Sequence, residues 1–241
     1  MTDYSNLIRE AFAKNSLEHL LFADAVDKFN ILIDRMISVN ENMNLTAIKD
    51  PEGVIYKHIV DSAVIVPYIP QNARLLDVGT GGGFPLLPVA ILRSDVRLTG
   101  LDSTAKKLKY IDETANILGL SNVKTLTGRA EELGHNRQYR GAFGVVTARA
   151  VASLNVLCEL CIPFAKENGV FLSMKGAAAD EEIKAAISAA SQLGASRPSD
   201  NAFILHCSGE ELQRHIISFK KIKQTPENFP RAYNRISKNP L

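Results

Sequence analysis

The sequence predicts an α/β fold: a mostly parallel, seven-stranded sheet with helices on both faces and an N-terminal helical extension. Three observations carry that expectation. From Ala73 onward, short apolar runs alternate with amphipathic stretches, the texture of repeated strand–helix units. Up to about residue 70 the apolar spacing is helical throughout. Between these regions and the rest of the chain lies LLDVGTGGGFP, Leu75 to Pro85, where four glycines fall within five residues just behind the aspartate of an apolar run.

The elements follow in order. Within the extension, residues 1–70, LEHLLFADAVDKFNILIDRMISVN keeps apolar residues at three-to-four spacing and predicts one long amphipathic helix. Asp50-Pro51 opens a second, EGVIYKHIVDSAVIV, with proline at the first helical position, where its missing N–H costs least. Pro67 and Pro70 bracket its end. Residues 71–241 then read strand RLLDV, helix FPLLPVAILR, strand VRLTGLD, helix STAKKLKYIDETANILGL and strand NVKTLTG. After a loop come strand AFGVVTAR, helix VASLNVLCELCIPFA, strand GVFLSMKG and helix EEIKAAISAASQLG. AFILHCS and HIISFKKI are two closing strands, one of them free to run antiparallel at the edge.

Composition bounds the class. With 241 residues, 46% apolar and 22% charged, the chain suits one large soluble domain with a small appendage. No apolar run approaches the ~18 residues of a membrane span, and MTDYSNLIREAFAKN lacks the layout of a signal peptide. The expectation is a cytoplasmic protein without membrane contact, monomeric by default. Of three cysteines, Cys158 and Cys161 form a CxxC inside an apolar helical stretch. No second CxxC or histidine pair accompanies them, so they read as buried core thiols, and no metal is expected. The net charge of +2 divides into +6 for the segment 214–241 and −4 for the remainder. Such a tail fits either a polyanionic partner or a solvated edge.

The glycine loop discriminates between ligands. A P-loop needs a lysine after its glycines, and none follows. The dinucleotide spacing GxGxxG fails at Phe84 when started from Gly79 and at Leu86 when started from Gly81. What fits is Asp77-x-Gly79-x-Gly81-x-Gly83, the acidic glycine loop typical of Rossmann-like class I methyltransferases, which bind S-adenosyl-L-methionine. An acid there repels pyrophosphate but welcomes a sulfonium with an ammonium. Asp102 ends the next strand, 25 residues on, where an acid accepts ribose hydroxyls; it also precedes a helix and suits an N-cap. After the third strand, GRAEEL offers the backbone of Ala130 and Glu131 to an adenine edge.

At this point the chain closely resembles the ribosomal RNA small subunit methyltransferase G family, also called glucose-inhibited division protein B. NLTAI (Asn44 to Ile48), HIVDS (His58 to Ser62), LLDVGTGGGFP, LDSTAKKLKYI, GRAEEL, ARAVASL (Ala148 to Leu154), MKG (Met174 to Gly176) and FPR (Phe229 to Arg231) carry the resemblance. It implies methylation of one guanine at N7 in 16S rRNA, as naked RNA or within the 30S particle. It also implies cofactor contacts at Gly79, Phe84, Ala130, Glu131 and Arg149. The chain departs from the family pattern at Leu86, where a glycine is usual, and at Gly144, where an aspartate is usual. The first tightens the helix start, and the second removes a carboxylate beneath the site.

The expected chemistry is sparse. The place of an exocyclic-amine motif reads TARAVA, and Cys158 lies too deep in its helix to attack a cytosine. Guanine N7 has a lone pair and no proton, so no general base is required, and orientation supplies the acceleration. Arg149, Lys175 and Arg231 are the substrate-side candidates, with Arg137, Arg140 and the basic segment gripping phosphates. Arg149 stands either between cofactor and base or in an ion pair with Glu131. His58 and Asp61, three apart on one helical face, read as a capping or packing pair. A small-molecule methyltransferase and a non-catalytic cofactor-binding regulator remain the competing readings, with an NAD oxidoreductase more distant.

Overall fold

The computed structural model describes the whole chain except Met1, Ala23, Ala150 and Ala178. Ala23 of the expected long helix and Ala150 of ARAVASL therefore lie outside the described residues. The extension begins with α1 (Ser5–Lys14) and continues through α2 (Ala25–Met43), α3 (Pro51–Val54) and α4 (Asp61–Ala63). The single helix expected from Leu17 to Asn40 is broken: a 3₁₀ turn, Glu18–Leu20, leads to an extended Leu21 before α2 starts. Periodicity hid the break because Leu17 on one side and Val26, Phe29, Ile33 and Met36 on the other bury in one core. Asn44 in the left-handed region, φ 51°, ends α2. Asp50 caps α3 through Gly53 N–H at 2.7 Å, with Pro51 at the first turn as expected. Between α3 and α4 the backbone forms a π-helical segment, Ile55–Val60, a widened turn of the kind that accumulates at functional sites.

Among the described residues seven strands follow: β1 (Arg74–Val78), β2 (Arg97–Asp102), β3 (Val123–Thr127), β4 (Phe143–Arg149), β5 (Ala165–Lys175), β6 (Ser199–His206) and β7 (Glu211–Lys220). They form one sheet in the order β3-β2-β1-β4-β5-β7-β6. The first five are parallel, and β7 runs antiparallel to both β5 and β6, so the reversed strand is the last one in sequence. Helices α5 (Leu86–Leu92), α6 (Ala105–Ile117), α7 (Ala130–Leu133), α8 (Leu154–Cys161), α9 (Ala179–Gln192) and α10 (Tyr233–Lys238) complete the chain. Two apolar cores result. One joins the N-terminal helices, α5 and α6 to one sheet face; the other packs α8, α9 and Ile236 of α10 on the opposite face. The strand order reverses between β1 and β4, so their carboxyl ends open a crevice, the place where such sheets bind ligands.

Candidate active site

At that crevice the carboxyl ends of β1, β2, β3 and β4 enclose a cavity of about 560 Å³. Gly79, Gly81, Phe84, Asp102, Ala130, Glu131 and Arg149 all line it, drawn together from four separate segments of the chain. Asp77 and Gly83 stand behind this lining. The glycine loop is tied to β2, since Gly79 and Thr80 both donate to Leu101 O, at 2.8 and 3.1 Å. Gly79 takes φ 70° and Gly83 φ 87°, a region that side chains rarely adopt. A Cβ on Gly83 would also fall 2.7 Å from Leu87 Cδ1, so that glycine lets the loop seat on α5. At Gly81 an added Cβ would meet only Gly79 O, at 3.7 Å, which leaves this stretch of backbone open to the cavity.

Asp77 pairs in register with Thr147 of β4 and accepts that hydroxyl at 2.8 Å. Burial pushes its carboxyl up to about 6. Among the described residues its other oxygen, Oδ2, makes no well-formed hydrogen bond, and neither does Thr80 Oγ1, although the Thr80 hydroxyl stands near enough to hold back part of the carboxyl's rise. A buried carboxyl with a loosely engaged oxygen, under an open glycine backbone, fits a ligand that brings positive charge. Asp102 stands just before α6 but is not its N-cap residue, which is Thr104. Its Oδ1 accepts Thr104 N–H at 2.8 Å at the start of α6, and its Oδ2 accepts Gly81 N–H at 3.0 Å. Each oxygen keeps a second lone pair for ribose hydroxyls at the cavity wall.

Arg149, at the end of β4, pairs with Asp61 and not with Glu131, whose cationic neighbour is Arg129 at 3.9 Å. Its Nη1 donates to Asp61 Oδ2 and Lys57 O, each at 3.1 Å, and its Nη2 lies 3.1 Å from His58 Nδ1. The same Nδ1 also lies 3.1 Å from Lys57 O, and Nε2 lies 2.8 Å from Thr46 Oγ1, so both ring nitrogens are engaged. Burial, with the Arg149 charge beside it, holds the imidazole down to about 3, so His58 stays neutral. The His58 ring stacks on Phe84 with centroids 4.7 Å apart, and Arg149 Cζ lies 5.7 Å from the same ring. His58 and Asp61 are thus joint supports for one arginine. The π-helical turn and α4 carry both of them. The NLTAI segment acts from outside: Asn40 binds Thr46 at both N–H and C=O, which sets the hydroxyl against His58.

Asp61 reaches further, accepting Arg214 Nε at 3.0 Å through Oδ1. Arg149, His58, Asp61 and Arg214 all line a second cavity of about 420 Å³, walled also by Lys175, Phe203 and His215. His58 and Arg149 belong to both cavities and form the partition between them. Lys175 donates to Ala152 O at 2.6 Å and pairs with Glu182 at 2.8 Å.

The third substrate-side candidate is not brought there. Arg231 grips Glu159, which is fully buried, through Nε and Nη2 at 2.6 to 3.1 Å, and its backbone N–H joins the same carboxylate. Arg140 is likewise spent, on the carbonyls of Gly134, Thr225, Pro226 and Phe229. Lys221 is buried and donates to Leu193 O at 2.8 Å. Gly144 stands at the start of β4, opposite Arg149, where a side chain would meet Lys166 Cε at 3.6 Å. The expectation of a lost carboxylate beneath the site is therefore corrected. Leu86 is fully buried, its Cδ2 2.7 Å from where a Cβ on Gly100 would lie, so it fills the gap between α5 and β2. Burial raises the thiols of Cys158 and Cys161, as core cysteines require. Among the described residues no helix is long and apolar enough to cross a membrane.

This geometry has relatives. The chain superposes on the YcgJ protein of Bacillus subtilis with a TM-score of 0.54 at 16% identity, covering 69% of this chain and 100% of that one. A SAM-dependent O-methyltransferase from Thermotoga maritima gives 0.54 at 14% identity, over 79% of this chain and 73% of the other. These likenesses establish the class I methyltransferase fold. In sequence, the chain is 37% identical over 240 residues to the ribosomal RNA small subunit methyltransferase G of Clostridium perfringens, covering 99% of both. It is 42% identical over 217 residues to the protein of that name from Deinococcus radiodurans, covering 89% of this chain and 85% of the other. The family model for rRNA small subunit methyltransferase G matches residues 25–217, and the chain belongs to that family.

Proposed function

We propose that the chain transfers a methyl group from S-adenosyl-L-methionine to N7 of one guanine in 16S rRNA. The observation that carries the reading is the pair of adjoining cavities that share His58 and Arg149. The larger is the cofactor's: Asp102 receives the ribose, the backbone at Gly79 and Gly81 approaches without side chains, and Asp77 faces the cationic amino-acid end through water. The smaller receives the guanine. When bound, the cofactor supplies an electrophilic methyl on a sulfonium.

The chain's own residues do the positioning. N7 carries no proton, so the site needs no base, and His58 would be a weak one, its imidazole held down to about 3 and its ring nitrogens engaged. A neutral imidazole also spares the nitrogen that becomes cationic one more like charge. Asp61 divides itself between Arg149 and Arg214, which fixes both forks and offsets part of their charge. Lys175 spends two of its three N–H groups on Ala152 and Glu182, and its remaining donor suits the guanine O6 beside N7. A guanine in an A-form helix presents N7 to a groove too narrow for side chains, so the target is a loop base or one turned out of its stack.

The same reading includes a cytoplasmic monomer that acts on rRNA alone or on 30S particles. The test is labelled methyl transfer to both substrates from a strain lacking the gene. Replacing Arg149 by alanine is expected to cut transfer by about 100-fold, the scale of a misplaced reacting pair. Cofactor binding without transfer to either substrate defeats the reading.

A further inference from the structure

The C-terminal segment from Phe229 to Ile236 is held in place with an unusual expenditure of buried charge. Glu159, fully buried in α8, has one partner among the described residues, Arg231, which meets it with a bidentate guanidinium and a backbone N–H at 2.7 Å. Just before it, Pro230 O lies 2.7 Å from His135 Nε2, and Phe229 O accepts Arg140 Nη1 at 2.8 Å. Just after it, Ile236 is fully buried against the second core. Burying a carboxylate is costly unless it is paired and hydrogen-bonded. The pair therefore defines a position, and the residue it positions is Tyr233, the first of α10.

Tyr233 is 44% exposed, so packing does not account for its place. Tyr233 lines the principal cavity and also the groove formed by Arg129, Glu131, Glu132 and His135. That puts it at the β3 side, beyond Asp102 as seen from the glycine loop. A nucleoside whose ribose lies at Asp102 extends its base to that side. An exposed aromatic residue on the cavity wall suits a flat heteroaromatic partner, because stacking contributes beyond area burial.

We infer that Tyr233 stacks on the adenine of the cofactor, with the Arg231–Glu159 pair as its positioning device. The inference rests on the cofactor assignment made above and adds the C-terminal segment to the cofactor site.

Two probes test it by titration calorimetry: S-adenosylhomocysteine and 5′-methylthioadenosine, which shares the adenosine but lacks the amino-acid end. Replacing Tyr233 with alanine is expected to weaken both about 5- to 10-fold, whereas Tyr233→Phe keeps both affinities. The chain contains no tryptophan, so Tyr233→Trp installs a single reporter whose emission changes on binding either probe. Unchanged affinities in Tyr233→Ala, or a loss confined to S-adenosylhomocysteine, overturn the assignment while leaving the cofactor site standing. Failure of the wild-type chain to bind S-adenosylhomocysteine overturns the cofactor assignment and the stacking role together.

Discussion

Two titrating side chains give the site opposite responses to pH. The His58 imidazole is held at about 3, below its ordinary value, so the unfolded chain binds more protons through the interval down to that value. Its contribution to stability is complete above about pH 6.5 and is lost as the pH falls toward 3. Asp77 acts the other way: its carboxyl, raised to about 6, makes the ligand-free fold less stable as the pH rises from the ordinary carboxylate range to that value. The two effects oppose each other from the ordinary carboxylate range up to about 6. The wider His58 shift leaves a net fall of the urea midpoint on acidification between pH 6.5 and about 3, whereas His58→Gln leaves Asp77 alone and is expected to reverse the slope below pH 6. An unchanged slope in the variant removes His58 from the account. For binding, Asp77 is the more informative residue. A cationic ligand prefers its ionised form, so cofactor affinity is expected to decline as the pH drops through 6. Asp77→Asn should lose affinity and that pH dependence together; retention of the dependence would show that another group causes it. The sequence made Asp77, Asp102 and the glycines readable because their spacing is local. The supports of Arg149 were harder: His58 and Asp61 stand in the HIVDS segment, yet their shared partner lies some ninety residues away in the chain. Arg214 gave no local signal at all.

At the level of elements, the loop after β1 depends on left-handed glycines and on the helix it seats upon. Gly83→Ala combines a positive φ with a contact against the buried Leu87, and is expected to cost roughly 2–4 kcal/mol. Gly79→Ala meets only the exposed Val151, so it should cost about 1–2 kcal/mol from the backbone alone. Chemical denaturation of the two variants checks that order, and the reverse order would contradict the loop account. Leu86, the departure from the family pattern, packs fully buried between α5 and β2, and Leu86→Ala is expected to lose about 2–5 kcal/mol. The alternating strands and helices were legible because period and turn residues are local properties. The break before α2 was not, because apolar spacing continues across it, and neither were the π-helical turn, α7 and α10, each too short to generate a period.

Across the whole molecule, the basic segment is less uniform than its charge. Arg214, Lys221 and Arg231 are committed to internal partners, whereas Lys220, Lys223, Arg235 and Lys238 are exposed. If the exposed group holds rRNA phosphates, replacing Arg235 and Lys238 by alanine should weaken RNA binding and reduce the slope of log affinity against log salt by about 1.4. An unchanged slope would assign that group to solvent. The sequence could count these charges but not sort them, since the sorting depends on which carboxylates and carbonyls the fold brings within reach. The central claim, that the two cavities join a cofactor to a guanine across Arg149, is tested most directly by mapping labelled methyl groups on 16S rRNA. A single guanine, methylated at N7 by the wild-type chain and about 100-fold more slowly by Arg149→Ala, is the predicted result. Cofactor binding with no label in rRNA or in 30S particles would contradict it.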